Sequence, residues 1–463
     1  MFYCHLFVIL QKINKTTLMR QIFKRKLYEK MLQWKQNSQG RSAILIKGAR
    51  RVGKSTLAES FAKNEYQSYI LIDFSTAPKQ VMELFEDISN LDYVFFRLQM
   101  LYHVSLVTRQ SAIIFDEVQM QPLARQAIKH LVKDGRYDYI ETGSLISIRQ
   151  NIKDIVIPSE ETHICLNPMD FEEFKWAIGD SVTIPLLRQA FDGRQPLSDS
   201  VNRQMMREFR LYMLIGGMPQ AVEEYLDTNN MSRVDTVKRK ILALYEEDFN
   251  KIDKSGRASM LFRSIPQQLA SNKSRFSVSG VLGKGNRPYL LEETIVNMLD
   301  SMTVNVAYHA NDPNVGMSLH GSLDAYKLYL ADTGLFVTLA FMDNDITENE
   351  IYEKLLSDKL STDMGYVYEN MVSQMIKAAG HNLFYYTFAK DMKHSYEVDF
   401  LISRGAKICP IEVKSSGYKS HVSIDAFCQK FSGRISDRYL IYTKDLRKEG
   451  NMLYIPAYMT MFL

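Results

Sequence analysis

The chain has 463 residues, which at about 100–200 residues per domain means two to four domains and excludes a single small module. Hydrophobic residues at 46% and charged residues at 24% exclude a disordered chain, and a net charge of +4 is too mild to require a nucleic-acid partner. The charge is uneven, however: residues 1–60 hold 13 Lys/Arg against 2 Asp/Glu.

Cys4, Cys165, Cys409 and Cys428 share no C-x-x-C spacing. Neither a zinc module nor a disulfide framework is expected, and a reducing, cytoplasmic setting is the default. No stretch approaches the ~18 apolar residues of a membrane span. Residues 2–10 are apolar, but no basic run precedes them and no small-residue cleavage site follows, which argues against a signal peptide. Met19 opens a more usual start. Residues 1–40 therefore read as an N-terminal extension leading into an amphipathic helix through Tyr28, Leu32 and Trp34.

Residues 41–170 alternate strands and helices. Apolar runs at 43–46, 69–74, 112–115, 137–140 and 163–166 have strand length, and several are nearly all apolar. They predict a parallel sheet covered on both faces. Leu57, Ala58, Phe61 and Ala62 predict a helix between the first two. Residues 171–257 turn helical, broken at Gly216-Gly217-Met218-Pro219. Residues 258–335 read as three helices and then strands. A polar linker opens a C-terminal α/β segment over 340–463, with a helix at 364–379 and strands near 384–388, 396–403, 407–414 and 438–443.

Gly48-Ala49-Arg50-Arg51-Val52-Gly53-Lys54-Ser55 matches G-x-x-x-x-G-K-[ST], with Thr56 next in line. Glycines let backbone N–H groups wrap phosphates, and the following helix aims its positive end at them. Lys54 reaches the β/γ-phosphates and the Ser55 hydroxyl ligates Mg²⁺, so ATP and Mg²⁺ are the expected cofactors. The loop follows an apolar strand and opens an amphipathic helix, the context such a loop requires. A second strand ends in Asp116-Glu117. Asp116 is expected to hold Mg²⁺ and Glu117 to deprotonate the attacking water. A third strand ends in Thr142-Gly143-Ser144, where the hydroxyls of Thr142 and Ser144 are candidate γ-phosphate sensors; an ordinary strand-to-loop turn is the bland alternative.

With Asp116-Glu117-Val118-Gln119 and Thr142-Gly143-Ser144, the loop resembles prokaryotic AAA+-type P-loop ATPases. The resemblance is to the group whose C-terminal half is a PD-(D/E)XK nuclease-like domain of unknown function. Further matching runs are Asn167-Pro168-Met169-Asp170-Phe171-Glu172-Glu173-Phe174, Gly216-Gly217-Met218-Pro219-Gln220-Ala221-Val222, Tyr329-Leu330-Ala331-Asp332-Thr333-Gly334-Leu335 and Glu397-Val398-Asp399-Phe400. The resemblance covers about residues 20–463. It implies ATP binding and hydrolysis, a winged-helix segment after the ATPase and a restriction-endonuclease-like C-terminal domain. It supplies no arginine finger and no cellular role.

Residues 258–330 fit the implied winged helix, with helices at 260–270 and 277–282 and a candidate recognition helix at 288–299. Lys273, Arg275, Lys284 and Arg287 cluster before that helix, where basic groups meet DNA phosphates. Glu292, Glu293 and Asp300 on the helix itself suit DNA poorly, and a protein-interaction module with solvated cations is the alternative.

Asp399, Glu412 and Lys414 fit the (P)D…(D/E)-x-K pattern of metal-dependent nucleases. A two-residue turn at Arg404-Gly405 pairs residue 399 with 410 and turns all three side chains to one face, since strand residues alternate in direction. Glu369 lies on a helix in line with Val372 and Ile376, and a carboxylate on an apolar flank needs a reason. A fourth site residue is one. The alternative is a solvated strand face of charge pairs. No Pro precedes Asp399, so the literal motif is incomplete.

The resulting expectation is a cytoplasmic α/β protein with no membrane association. It comprises a P-loop ATPase core, a helical lid, a winged-helix-like segment and a nuclease-like domain. Two functions fit: an ATPase acting on or regulated by DNA, or a nucleotide-gated switch whose C-terminal domain docks a partner without cleavage. Self-assembly into a homo-oligomer is open under either.

Overall fold

The computed structural model describes residues 21–144, 159–271, 273–283, 292–317, 321–342, 356 and 365–463. The N-terminal extension before residue 21, together with Lys284 and Arg287, lies outside them.

The chain opens with α1 (Leu27–Ser38), β1 (Ala43–Lys47), α2 (Lys54–Glu65), β2 (Ser68–Asp73), α3 (Lys79–Glu83), α4 (Leu91–Tyr102), β3 (Ser111–Asp116), α5 (Pro122–Asp134), β4 (Asp138–Gly143) and β5 (Glu161–Cys165). The five strands form one parallel sheet in the order β2-β3-β4-β1-β5. Near-continuous apolar strands suit this sheet because alternate side chains serve opposite faces. Ile44, Ile46, Ala112, Ile114 and Ile140 pack with Leu57, Ala58 and Phe61 of α2. Leu45, Ile70, Ile113, Phe115 and Tyr139 pack on the other side with Leu98 of α4 and Ile128 and Leu131 of α5.

Helices follow: α6 (Phe171–Ala177), α7 (Thr183–Asp192), α8 (Asp199–Ile215), α9 (Pro219–Thr228), α10 (Met231–Ile252), α11 (Arg257–Ala270), α12 (Val278–Leu282) and α13 (Glu292–Asp300). Asp170 and Glu173 start α6 with reciprocal side-chain-to-backbone bonds of 2.9 and 3.2 Å. Pro219 starts α9, where its missing N–H costs nothing.

The chain continues through β6 (Val304–Ala310), β7 (Gly321–Leu330), α14 (Thr333–Ala340), α15 (Gly365–Ala378), β8 (Leu383–Ala389), β9 (Ser395–Arg404), β10 (Lys407–Val413), α16 (Val422–Lys430), β11 (Arg438–Tyr442), β12 (Arg447–Glu449) and β13 (Met452–Pro456). The expected boundary between a winged-helix segment and the C-terminal domain is corrected here. Helices α11–α13 precede two strands, but β6 and β7 are no separate wing. β6 pairs with β7 on one edge and, in parallel, with β8 on the other. They complete one eight-stranded sheet, β12-β13-β11-β10-β9-β8-β6-β7.

The β9–β10 hairpin also differs from expectation. Lys407 pairs with Arg404 and Pro410 with Leu401, so the turn is Gly405-Ala406 rather than Arg404-Gly405. Gly405 has φ +60°, the left-handed value a two-residue turn with Gly in first place requires. The register moves by two residues, an even number, so the expected faces are kept. Among the described residues no helix is long and apolar enough to cross a membrane.

Candidate functional site

The phosphate loop joins β1 to α2, and Gly53, at φ +98°, turns the chain into that helix. The Lys54 side chain is buried and folds back over its own loop, donating to the Gly48 and Ala49 carbonyls at 3.0 Å each. Burial pushes its ammonium below the ordinary lysine value, against the pull of the Glu117 and Asp116 carboxylates. Ala49 and Val52 are buried beneath the loop, while Arg50, Arg51, Gly53, Ser55 and Thr56 line a cavity of about 300 Å³.

Asp116 ends β3 between its neighbours β2 and β4. Its Oδ1 accepts the Ser55 hydroxyl at 2.7 Å and also the Thr142 hydroxyl. The Glu117 N–H donates to Thr142 Oγ1 at 3.4 Å. Glu117 takes a left-handed backbone, φ +52°, and its carboxylate accepts the Gln119 amide and lines the cavity. Ser144 stands just past β4. The arrangement sets a hydroxyl and a carboxylate side by side next to a lysine, with a second carboxylate facing the same space.

The cavity has walls that the sequence did not assign. Phe23, Arg25, Pro219, Gln220 and Glu223 line it. Arg25 donates to Val52 O at 2.9 Å and Asn167 O at 2.6 Å, and pairs with Glu173 at 3.2 Å. Arg50 pairs with Asp248 of α10 at 3.0 Å, and Tyr245 donates to the Arg50 carbonyl at 3.1 Å. The Gly-Gly-Met-Pro break was the one visible sign that a helix N-terminus comes to this place.

A second charged group sits in the C-terminal sheet. Asp399, Glu412, Glu369 and Glu397 interact electrostatically with one another, and Lys414 Nζ lies 2.8 Å from Glu412 Oε1. Asp399 Oδ2 accepts the Val413 N–H at 2.7 Å. Burial, and then Glu412 and Glu369, hold the Asp399 carboxyl well above the usual range.

Sequence reading missed Lys327. It is buried on β7, with Nζ 2.5 Å from Glu397 Oε1 and 3.2 Å from Glu369 Oε1. Burial alone pulls this ammonium down, but Glu369 and Glu397 outweigh that and raise it. Tyr329 donates to the same Glu369 oxygen at 2.5 Å. Glu369, expected as a fourth residue of this acidic group, interacts with Asp399 and Glu412 and also answers the buried lysine. The four acidic groups meet, yet no three His, Cys, Asp or Glu among the described residues are arranged to hold a metal ion. The available signal was a lone lysine in the apolar run 325–331.

Of the basic residues assigned to DNA, Lys273 and Arg275 are exposed. The next residue, Phe276, donates its N–H to Tyr326 O at 2.7 Å. This sets Arg275 near Tyr385, beside the acidic group.

Residues 40–175 match the AAA domain family. The phosphate loop and the five-stranded parallel sheet lie within that span. Residues 206–346 and 364–459 match two domains of unknown function, DUF8612 and DUF4143. Among solved structures, the chain is similar to a Walker-type ATPase of Pyrococcus abyssi at 16% identity, covering 69% of this chain and 96% of that one, with a TM-score of 0.41. It is also similar to a signal-transduction ATPase with numerous domains and a tetratricopeptide-repeat sensor from Pyrococcus horikoshii, at 11% identity over 77% of this chain and 48% of that one, with a TM-score of 0.28. No curated protein sequence matches.

Proposed function

We propose that this chain is a Mg²⁺-dependent ATPase that serves as a nucleotide-controlled switch. The observation that carries the reading is the Ser55 hydroxyl bonded to Asp116 at 2.7 Å beside Lys54, at the wall of a cavity sized for a small molecule. When ATP enters, Lys54 exchanges the Gly48 and Ala49 carbonyls for phosphate oxygens. Ser55 and Asp116 are the pair that would hold Mg²⁺, which supplies charge neutralisation between the phosphates. Glu117, steadied by Gln119, accepts the proton of the attacking water. Thr142 touches both Asp116 and the Glu117 N–H, and these contacts support a role in registering whether a γ-phosphate is present. Phe23, Pro219, Gln220 and Glu223, which line the same cavity, are the residues this reading gives to the base and ribose.

The switch reading is favoured over cleavage of nucleic acid by Lys327, which engages Glu369 and Glu397 from within. DNA enters this reading as a regulator, met by Lys273 and Arg275 and, outside the described residues, by Lys284 and Arg287. The test is the ATPase rate of the full chain with and without double- and single-stranded DNA, beside Glu117→Gln. Hydrolysis at the wild-type rate in that variant would overturn the base assignment. Stimulation by DNA would assign it the regulator's role, and an ATP-dependent change of assembly without a DNA effect would assign that role to a protein partner.

A further inference from the structure

Four runs that lie far apart in the chain meet at one buried point between the nucleotide cavity and the C-terminal sheet. The first is the Gly216-Gly217-Met218-Pro219 turn, whose Pro219 lines the cavity. Two residues before it, the Gly217 N–H donates to Asp332 Oδ2 at 2.5 Å. On its other side the Gly217 carbonyl accepts the Met169 N–H at 2.7 Å. The fit has no slack. A Cβ on Gly217 would stand 2.1 Å from the Met169 carbonyl oxygen, and one on Gly334 would stand 2.5 Å from the Gly216 Cα.

Asp332 starts α14, its Oδ1 accepting the Leu335 N–H at 2.8 Å. The next residue, Thr333, gives both its N–H and its hydroxyl to Gln374 Oε1 at 2.8 Å. One turn earlier on α15, Asn370 grips Leu330, accepting its N–H at 2.8 Å and donating to its carbonyl at 3.2 Å. Gln374 also donates to the Tyr212 hydroxyl at 3.1 Å, which in turn donates to Met169 O at 2.7 Å. The ring of interactions thus closes on the Asn167–Met169 run, whose Asn167 carbonyl is tied by Arg25 to Val52 of the phosphate loop. At the far side, Glu369 adjoins Asn370 on α15 and binds Lys327 and Tyr329.

We propose that this ring is the relay by which the nucleotide cavity and the C-terminal charged group sense one another, with Gly217–Asp332 as its joint. The inference rests on the ATP-binding reading above. Closing the cavity on a nucleotide moves Pro219 and Gln220. Gly217 moves with them, because only one residue separates it from Pro219. Asp332 is fully buried, and a buried carboxylate deprived of a donor is costly, so it follows Gly217 rather than part from it. Thr333 then carries the displacement to Gln374 and α15, the helix that holds Glu369. Coupling between two such sites is reciprocal. A ligand bound at the charged group would therefore change nucleotide affinity by the same factor as nucleotide changes the affinity for that ligand, typically about 5- to 150-fold.

The experiment is amide hydrogen exchange on the full chain, with and without a non-hydrolysable ATP analogue, together with titration of a fluorescent ATP analogue. Wild type should bind the analogue and show altered exchange in 365–378, a segment that does not touch the cavity. Asp332→Asn keeps the shape but leaves one oxygen acceptor for two donors; it should bind the analogue and lose most of the α15 response. Gln374→Met, which removes only the α15 end, should do the same, so a folding defect in one variant does not decide the outcome. Analogue binding by wild type with unchanged exchange in α15 would overturn the relay while leaving the ATPase reading intact. A wild-type chain that binds no analogue would overturn both.

Discussion

Lys327 Nζ stands 3.2 Å from Glu369 Oε1 and 2.5 Å from Glu397 Oε1, so one buried ammonium answers the acidic groups of both α15 and β9. Lys327→Met would strand two carboxylates with burial unrelieved. Removing one partner of such a buried pair costs about 3–5 kcal/mol. The urea midpoint of the full chain should fall accordingly, and adding Glu369→Gln and Glu397→Gln should restore much of it. A drop below about 1 kcal/mol would place these groups among ordinary surface pairs.

Lys54→Ala should abolish ATP binding, because the loop is deprived of the cation that turns from Gly48 and Ala49 to the phosphates. Glu117→Gln should retain binding and slow hydrolysis by about 10²–10⁴-fold, the usual worth of a positioned general base. Binding is read by titration of a fluorescent analogue and turnover by phosphate release.

The fold of the ATPase core was legible because its strands are short, apolar and bounded by turn residues, and because the phosphate loop has a fixed spacing. Asp116 and Glu117 were legible as the end of such a strand. The cavity's other walls were not, since Phe23 and Glu223 reach it only through the packing of distant segments. In the C-terminal half the strand faces could be read from alternation, but the register could not: Gly405 takes the first place in its turn rather than the second. The pairing of β6 with β8 leaves no sequence trace, because a parallel partner far away imposes no local pattern. Lys327 was visible as a lysine among apolar residues, yet its partners lie 42 and 70 positions away.

If Lys273, Arg275, Lys284 and Arg287 meet DNA phosphates, replacing all four by Ala should flatten the salt dependence of DNA binding. Removing each phosphate-binding cation should reduce the log–log slope by about 0.9 for duplex DNA. Fluorescence anisotropy across a salt series reads this directly, and an unchanged slope would leave the four as surface charge.

Lys238 gives a pH signature. It is fully buried, donating to Leu214 O at 2.7 Å and Gly334 O at 3.2 Å, with Asp235 and Asp332 facing it. Burial pulls its ammonium down to about 8 from the ordinary 10.5. Below about 8 the lysine is charged in both folded and unfolded chains, and its burial penalty stands in full. Between about 8 and 10.5 the unfolded chain binds more protons, so the contribution of Lys238 to stability rises with pH. The melting temperature of wild type minus that of Lys238→Met should therefore increase from pH 8 towards pH 10. A flat difference would mean that the amine stays charged throughout.

The eight-stranded sheet has a practical corollary for anyone dividing this protein. A fragment covering only residues 364–459 would begin after β6 and β7 and would strip β8 of the strand on its flank. The bared edge would carry a row of unanswered N–H and C=O groups beside Phe384, Tyr386 and Phe388, a template for pairing with another chain. Such a fragment should self-associate into mixtures of sizes, whereas one cut upstream of Val304 should not, and light scattering on the two would tell them apart.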